Sequence, residues 1–259
     1  MALTVFDICE ELRPYVKAIC AMEISEQEAV SGFRVLPDTC VEMFISYRNT
    51  QLANIHFETN DIYSGSIITY RMSQYMDVRM LKGSACMAVC FNPGYAACFI
   101  PHTVGNGIIA LSDALDAIGK EMEEQIALAK DNRERNQLLQ QYLVQMLRFR
   151  QPADATVSYC LWQAHLFKGR LTVNELADKA GLSQRQLSRR FHNALAIGPK
   201  EYLRVSRFLH SLKTLKQEEY LTSLAYEHGY YDQAHFIHEY RTFAGLTPSE
   251  LRNATNVLY

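Results

Sequence analysis

The spacing of apolar residues changes twice along the chain and divides it into three stretches. From residue 1 to about 105 the period is two: Val41, Met43, Ile45 and Tyr47 alternate with Glu42, Phe44, Ser46 and Arg48, as in a strand with one buried face. Further β-rich runs fall at residues 53–58, 63–70, 75–81 and 85–91, separated by turn formers such as Asn60-Asp61 and Lys82-Gly83. An antiparallel barrel or sandwich is the fold this predicts. From 111 to 149 the period becomes helical. Ser112 with Leu115, Ile118 and Met122 starts one amphipathic segment, and Leu138, Leu139, Tyr142, Leu143, Met146 and Leu147 form another, giving a helical hairpin broken near Asp131-Asn132. Its apolar face can serve a dimer or pack on the barrel. Pro152 in the polar run Gln151-Pro152-Ala153-Asp154 interrupts helix and marks a linker, so the reading is two domains, 1–150 and 151–259.

In the third stretch one pattern is written twice. Leu176, Ala177, Gly181, Leu187, Phe191 and Pro199 are echoed by Leu224, Ala225, Gly229, Phe236, Tyr240 and Pro248, at an offset of 48 residues before the turn and 49 after it. Each copy reads as a short helix, a glycine-bearing turn and a second helix, the layout of a helix-turn-helix DNA reader. Helix starts are marked in the same places. Thr172 with Glu175 and Ser183 with Gln186 predict capping boxes, Asp232 predicts an N-cap, and Thr247-Pro248-Ser249-Glu250 combines a cap, a first-turn proline and a box glutamate. Between the copies, the stretch from Pro199 to about Gln217 sets Tyr202, Val205, Leu209, Leu212 and Lys216 along one side, with Phe208 and Leu215 beside them. One long helix should therefore join the two readers and fix their separation.

The outward faces of the second helices carry the candidate chemistry. In 183–195, Leu187, Phe191, Ala194 and Leu195 make the buried stripe, and Arg185, Ser188, Arg189 and His192 point the opposite way at steps of three and four. Arg can contact guanine bidentately, Gln184 and Gln186 can contact adenine, and Ser can bond several base edges. A solvated surface would have the same composition; the capped and duplicated frame favours DNA. In 232–243, Phe236, Tyr240 and Phe243 are the expected buried residues, and Gln233, Ala234, Ile237, His238 and Arg241 are displayed. Ile237 suits either a thymine methyl or packing. This second face is less basic and is expected to contribute less affinity.

These residues resemble a known family. The segment from about 171 to 251 looks like the double helix-turn-helix domain of AraC/XylS-type bacterial transcription regulators, down to the Gly-Tyr-Tyr-Asp-Gln-Ala-His-Phe run ending at Phe236 and the Gly-Leu-Thr-Pro run ending at Pro248. The resemblance implies promoter binding by both readers on one face of the DNA and contact with RNA polymerase. By position it implies base reading by Arg185, Ser188 and Arg189 in one copy and Gln233, Ala234, Ile237 and His238 in the other. His238 departs from the arginine common at its position. The run Arg34-Val-Leu-Pro-Asp-Thr-Cys-Val-Glu-Met-Phe44, with Phe91-Asn-Pro-Gly-Tyr95, resembles the cupin-like N-terminal domain of a subset of these regulators. That implies a sensory or regulatory barrel controlled by a small-molecule effector or a partner, without naming the ligand.

Charge sharpens the picture modestly. Residues 151–259 hold 13 basic and 10 acidic side chains, a formal +3, within a chain whose net charge is -2. Bulk charge of that size will not grip DNA, so affinity is expected to rest on Arg185, Arg189 and Arg190 and on phosphate contacts at helix N-termini. The chain has no transmembrane run and no secretory leader pattern at its start. With its odd number of cysteines, seven, it reads as a cytoplasmic bacterial protein with reduced thiols, working alongside the nucleoid. Enzyme chemistry finds little support: His56 and His102 are far apart with no paired-histidine motif, and no phosphate loop or nucleophile elbow occurs. Cys86, Cys90, Cys98 and His102 are the sharper candidate for a metal or redox site, but their spacing is not that of a zinc finger, so neither a catalytic group nor a resident metal or cofactor is expected. An N-terminal domain that binds a protein rather than a small molecule is the other reading.

Overall fold

A computed structural model describes residues 2–25, 32–48, 51–54, 62–69, 74–100, 108–147, 153–217 and 220–258. They group into two compact units: 1–33, 40–70 and 77–153 form the first, and 34–39, 71–76 and 154–259 form the second. The expected linker residues Gln151-Pro152 lie outside the described residues, as do the turn Asn60-Asp61 and the later part of the run 53–58.

Strands β1 (Ala2–Phe6), β2 (Val16–Glu23), β3 (Gly32–Val35), β4 (Glu42–Ser46), β5 (Gln51–Asn54), β6 (Ile62–Ser64), β7 (Ile67–Thr69), β8 (Met76–Met80), β9 (Ala85–Phe91) and β10 (Ile108–Ala110) precede two helices, α1 (Leu111–Leu128) and α2 (Asn132–Leu147); all belong to the first unit except Arg34 and Val35 of β3 and Met76 of β8. The main sheet runs β1-β2-β9-β4-β7-β10, and β5 pairs antiparallel with both β6 and β8. The run expected at 63–70 is two strands, because Gly65 turns the chain at φ +84°. In the central ladder, Ile19 faces Val89 and Met43 faces Val89, so Ile19, Ala21, Met43, Ile45, Met87 and Val89 share one sheet face. That face packs on Leu115, Met122 and Ile126 of α1 and Leu139, Leu143 and Met146 of α2, all in one buried core. Burying each such side chain is worth about 1.5–3 kcal/mol.

This packing corrects the expectation of a closed barrel. Among the described residues the main sheet is open, with β1 and β10 at its edges. Closure would remove those edges, but β10 leads directly into α1, and the apolar face is covered by helices instead of by a curled sheet. The sheet anchors α1 by polar contacts as well: the Ser66 hydroxyl accepts from Ser46 N–H at 2.9 Å and donates to Glu123 at 2.8 Å.

The second unit contains helices α3 (Ala155–Leu166), α4 (Val173–Lys179), α5 (Gln184–Leu195), α6 (Pro199–Thr214), α7 (Leu221–Glu227), α8 (Gln233–Ala244) and α9 (Pro248–Asn253), then β11 (Val257–Leu258). The predicted caps form. Thr172, Ser183 and Thr247 each make a reciprocal capping box, and Asp232 accepts from His235 N–H. The duplicated turns are built alike. Leu182 N–H bonds Ala177 C=O and Gly181 N–H bonds Asp178 C=O, and Tyr230 with Ala225 and Gly229 with Tyr226 repeat the pattern. Such Schellman turns need a left-handed residue, here Gly181 at φ +65° and Gly229 at φ +74°.

Two apolar cores result, and α6 supplies both. Tyr202 and Leu203 pack with Leu176, Leu187 and Phe191, whereas Val205, Phe208 and Leu212 pack with Leu224, Phe236 and Tyr240. The second core also takes in Leu36, 1% exposed, from the 34–39 piece. Beside it Arg34 donates to Ala244 C=O at 2.9 Å and lies 4.1 Å over the Tyr75 ring, and Arg34 and Val35 pair in parallel with Val257 and Leu258. A buried carboxylate ties α8 to α6. Arg204 donates twice to Glu239 Oε1, at 3.0 Å from Nε and 2.6 Å from Nη2, and Arg207 Nη2 lies 3.9 Å from Oε2.

Two outcomes are expected in urea unfolding. Glu239→Ala removes a buried partner of two guanidiniums and should lower stability by about 2 kcal/mol, less than for a fully enclosed pair because Arg204 is partly exposed and can return to water. Ala196, which ends α5 at φ +56°, occupies the place that Gly245 fills after α8. Ala196→Gly should therefore raise stability by about 0.5–1 kcal/mol; unchanged or lower stability would mean that the left-handed alanine carries little strain.

Candidate nucleic-acid interface

Helix α5 presents a sharply two-sided surface. Leu187, Phe191 and Leu195, at steps of four, are fully buried, and Gln184, Arg185, Arg189 and His192 are exposed, with Ser188 half-buried among them. The expected polar residues thus come together on one side, around a concavity of about 720 Å³ lined by Ser183, Arg185, Gln186, Ser188, Arg189, His192 and Asn193. His192 is held in place: its Nδ1 donates to Ser188 C=O at 2.8 Å, leaving Nε2 as an acceptor. Gln186 is partly committed, since its side-chain oxygen accepts from Ser183 N–H at 2.9 Å in the capping box. Gln184, the first residue of α5, hydrogen-bonds through its amide to Asn174.

Helix α8 repeats the arrangement with different side chains. Phe236, Tyr240 and Phe243 are buried, Gln233, Ala234, His238 and Arg241 are exposed, and Ile237 is half-buried, so packing takes up part of its surface. Gln233, first in its helix, accepts from Thr222 at 2.8 Å. Asn174 and Thr222 are the second residues of α4 and α7 and stand 48 residues apart, the offset of the sequence repeat. Each reader helix therefore has its first turn tethered to the preceding helix by a glutamine. The sequence held that signal in the repeat itself, although Asn174 and Thr222 are not conspicuous as residue types.

Arg190 does not join the outward face. Its Nη1 pairs with Asp154 at 2.6 Å, and Asp154 also caps α3 by accepting from Thr156 and Val157 N–H. Burial raises the Asp154 pKa, but the Arg190 bond and the two backbone N–H groups outweigh it and hold the carboxyl below its usual range. The expected arginine cluster is corrected to Arg185 and Arg189: a residue one step from Arg189 points about 100° away on the helix, toward α3. Two histidines away from the readers, His210 and His228, add no charge at neutral pH. Burial, with nearby Lys213, His165 and His228, pushes His210 down to about 4, and burial likewise lowers His228.

The thiol candidates do not assemble as a set. Cys86 is buried with Ile24, whereas Cys98 belongs to the core shared by sheet and helices. His56 and His102 lie outside the described residues. Burial first, then Cys20, pushes the Cys86 thiol up to about 12, the behaviour of an inert core residue.

Comparison with known proteins agrees with this geometry. A family profile described as a helix-turn-helix domain matches residues 176–254, and one described as a domain of unknown function matches residues 6–106. An uncharacterized HTH-type transcriptional regulator from Staphylococcus aureus (strain MSSA476) is 29% identical over 83 residues, 32% of this chain; the chain spans only 11% of that relative's length. Among solved structures, ToxT from Vibrio cholerae O395 is 10% identical, with 92% of this chain and 98% of that one covered at a TM-score of 0.47. The C-terminal domain of AraT, a response regulator from Geobacillus stearothermophilus, is 20% identical, with 40% of this chain and 89% of that one covered at a TM-score of 0.37. The first of these profiles covers both copies of the capped, duplicated frame, so residues 176–254 are similar to helix-turn-helix domains.

Proposed function

We propose that the chain is a sequence-specific DNA-binding transcription regulator whose α5 and α8 read neighbouring major grooves. The observation that carries this reading is the pair of like-capped, like-tethered helices mounted on one rigid helix, each with its polar side exposed. Helix α6 has 16 residues and is about 24 Å long; with a half-width of about 5 Å for a reader helix at each end, the span approaches the 34 Å of one duplex turn. Arg185 and Arg189 suit guanine, Gln184 and Gln233 suit adenine, and Ser188, His192, Ala234, Ile237, His238 and Arg241 complete the two proposed surfaces. The capped N-termini of α5 and α8 suit phosphates.

The N-terminal unit is the proposed input, taking a small-molecule effector or a partner. Contact with RNA polymerase and a homodimer through the helical hairpin complete the proposal, although α1 and α2 already bury much of their apolar surface on the sheet. The protein is proposed to act by binding, not catalysis, in the bacterial cytoplasm beside the nucleoid. No helix among the described residues is long and apolar enough to cross a membrane.

The test is an anisotropy titration of the full chain against DNA upstream of its own and neighbouring genes, with salt varied. Arg189→Ala should weaken specific binding by about 1–3 kcal/mol and relax preference at one base pair. Arg190→Ala, by contrast, should leave sequence preference intact and cost about 0.5 kcal/mol of stability, since its ion pair is partly exposed. Equal loss for Arg189→Ala on random DNA would assign that residue to phosphate. On the operator so found, moving the half-sites apart by half a turn should abolish tight binding, and unchanged affinity would overturn the rigid-joint reading.

A further inference from the structure

We propose that Cys40 and Cys90 form an oxidisable thiol pair which a hydroperoxide converts into an intramolecular disulfide. The pair is brought together by strand register. Glu42 faces Cys90 across β4 and β9, so Cys40, two residues before Glu42, approaches the same side of β9. The two sulfurs lie within 4.8 Å of one another. A disulfide needs about 2.05 Å, so they must close by at most about 2.8 Å. Cys40 precedes the first residue of β4, so the approach is required outside the ladder of that strand.

The surroundings distinguish this pair from Cys20, Cys86, Cys98 and Cys160. The Lys17 ammonium lies 3.8 Å from Cys40 Sγ and favours negative charge on that sulfur, the nucleophilic form, against the opposing Asp38 carboxylate, which lies within 4.8 Å of it. The neighbouring Cys20 is pushed up to about 11 by burial, then by Glu42 and Cys90, and Cys86 reaches about 12 through burial. Burial also raises Cys98 and takes Cys160 to about 11. Those four remain protonated at neutral pH. Cys90 is half-buried, which gives a small oxidant a way in, and Cys40 is 4% exposed, which keeps larger reagents away.

The chemistry balances with the peroxide as oxidant. The Cys40 thiolate attacks one oxygen of the O–O bond, which breaks; the other oxygen leaves as hydroxide or alkoxide, and Cys40 becomes a sulfenic acid. The Cys90 sulfur then attacks the Cys40 sulfur, the S–O bond breaks, and the expelled hydroxide takes up the Cys90 proton as water. With hydrogen peroxide, two thiols and one peroxide give one disulfide and two waters. Two electrons pass from the sulfurs to the peroxide.

Full-length reduced chain, freed of reductant, would be treated with hydrogen peroxide, alkylated and mapped by peptide mass spectrometry. The expected product is a Cys40–Cys90 linked peptide, formed within one chain, two hydrogens lighter than its parts and cleaved by dithiothreitol. Lys17→Met should slow its formation several-fold, and Lys17→Arg should keep the rate. Full alkylation of all seven thiols after peroxide would overturn the proposal, as would linkage through Cys20 or Cys86 or only between chains. Resistance to peroxide together with uptake of one zinc ion per chain would also overturn it, assigning these sulfurs to metal binding. The unsubstituted chain alone separates these outcomes, so the test does not depend on any variant folding.

Discussion

Glu239 is the constraint on which the second unit turns. It is 2% exposed on the helix proposed to read DNA, and a carboxylate so placed is tolerated only if cations reach it. Arg204 and Arg207 come from α6, three residues apart, and each also lies over an aromatic ring, Phe243 and Tyr230 respectively. The rotation of α8 about its own axis is thereby fixed: turning it would strand the carboxylate and pull the Phe243 ring from Arg204. Earlier along α6, Tyr202 and Leu203 share an apolar core with Leu187 and Phe191 of α5. One helix thus sets both reader faces, by shape at one end and by charge at the other.

That division explains how much is legible in the sequence. Caps, turns and buried stripes are local, and their periods of three and four are printed in the residue order, so the helix-turn-helix frame can be read from Ser183, Gly181 and Phe191 directly. Ion pairs that cross between elements are not local. Nothing near Arg190 announces that Asp154, 36 residues earlier, will neutralise it, and Glu239 looks like an ordinary surface residue until α6 is laid against α8. Periodicity finds the exposed arginines and cannot say which one is already paired.

The sheet unit shows the same limit more strongly. Alternation at 41–48 identifies β4, but strand order depends on pairings between distant residues, and alternation is equally compatible with a closed barrel and with an open sheet covered by helices. The apolar period of 111–149 decides the matter only once those helices are seen to share a core with Met43, Met87 and Val89. Cys40 is the extreme case. Nothing in its own stretch of sequence marks it, and only the register of β4 against β9 brings it to a cysteine fifty positions away.

The two reader copies are not equivalent, and the difference is physical. The first carries the stronger charge, Arg185 and Arg189, and its core is filled entirely by residues from 157 onward. The second is less basic, but its core includes Leu36, and Arg34 holds the carbonyl of Ala244 at the end of α8. Residues 34–39 therefore cannot shift without disturbing the packing beneath the second reader, whereas the first senses them only through α6. Under the proposed function, an influence of this segment on DNA affinity would enter at the second half-site. If, as proposed, that half-site contributes less binding energy, a small change in the pose of α8 would alter occupancy while Arg185 and Arg189 hold the first half-site.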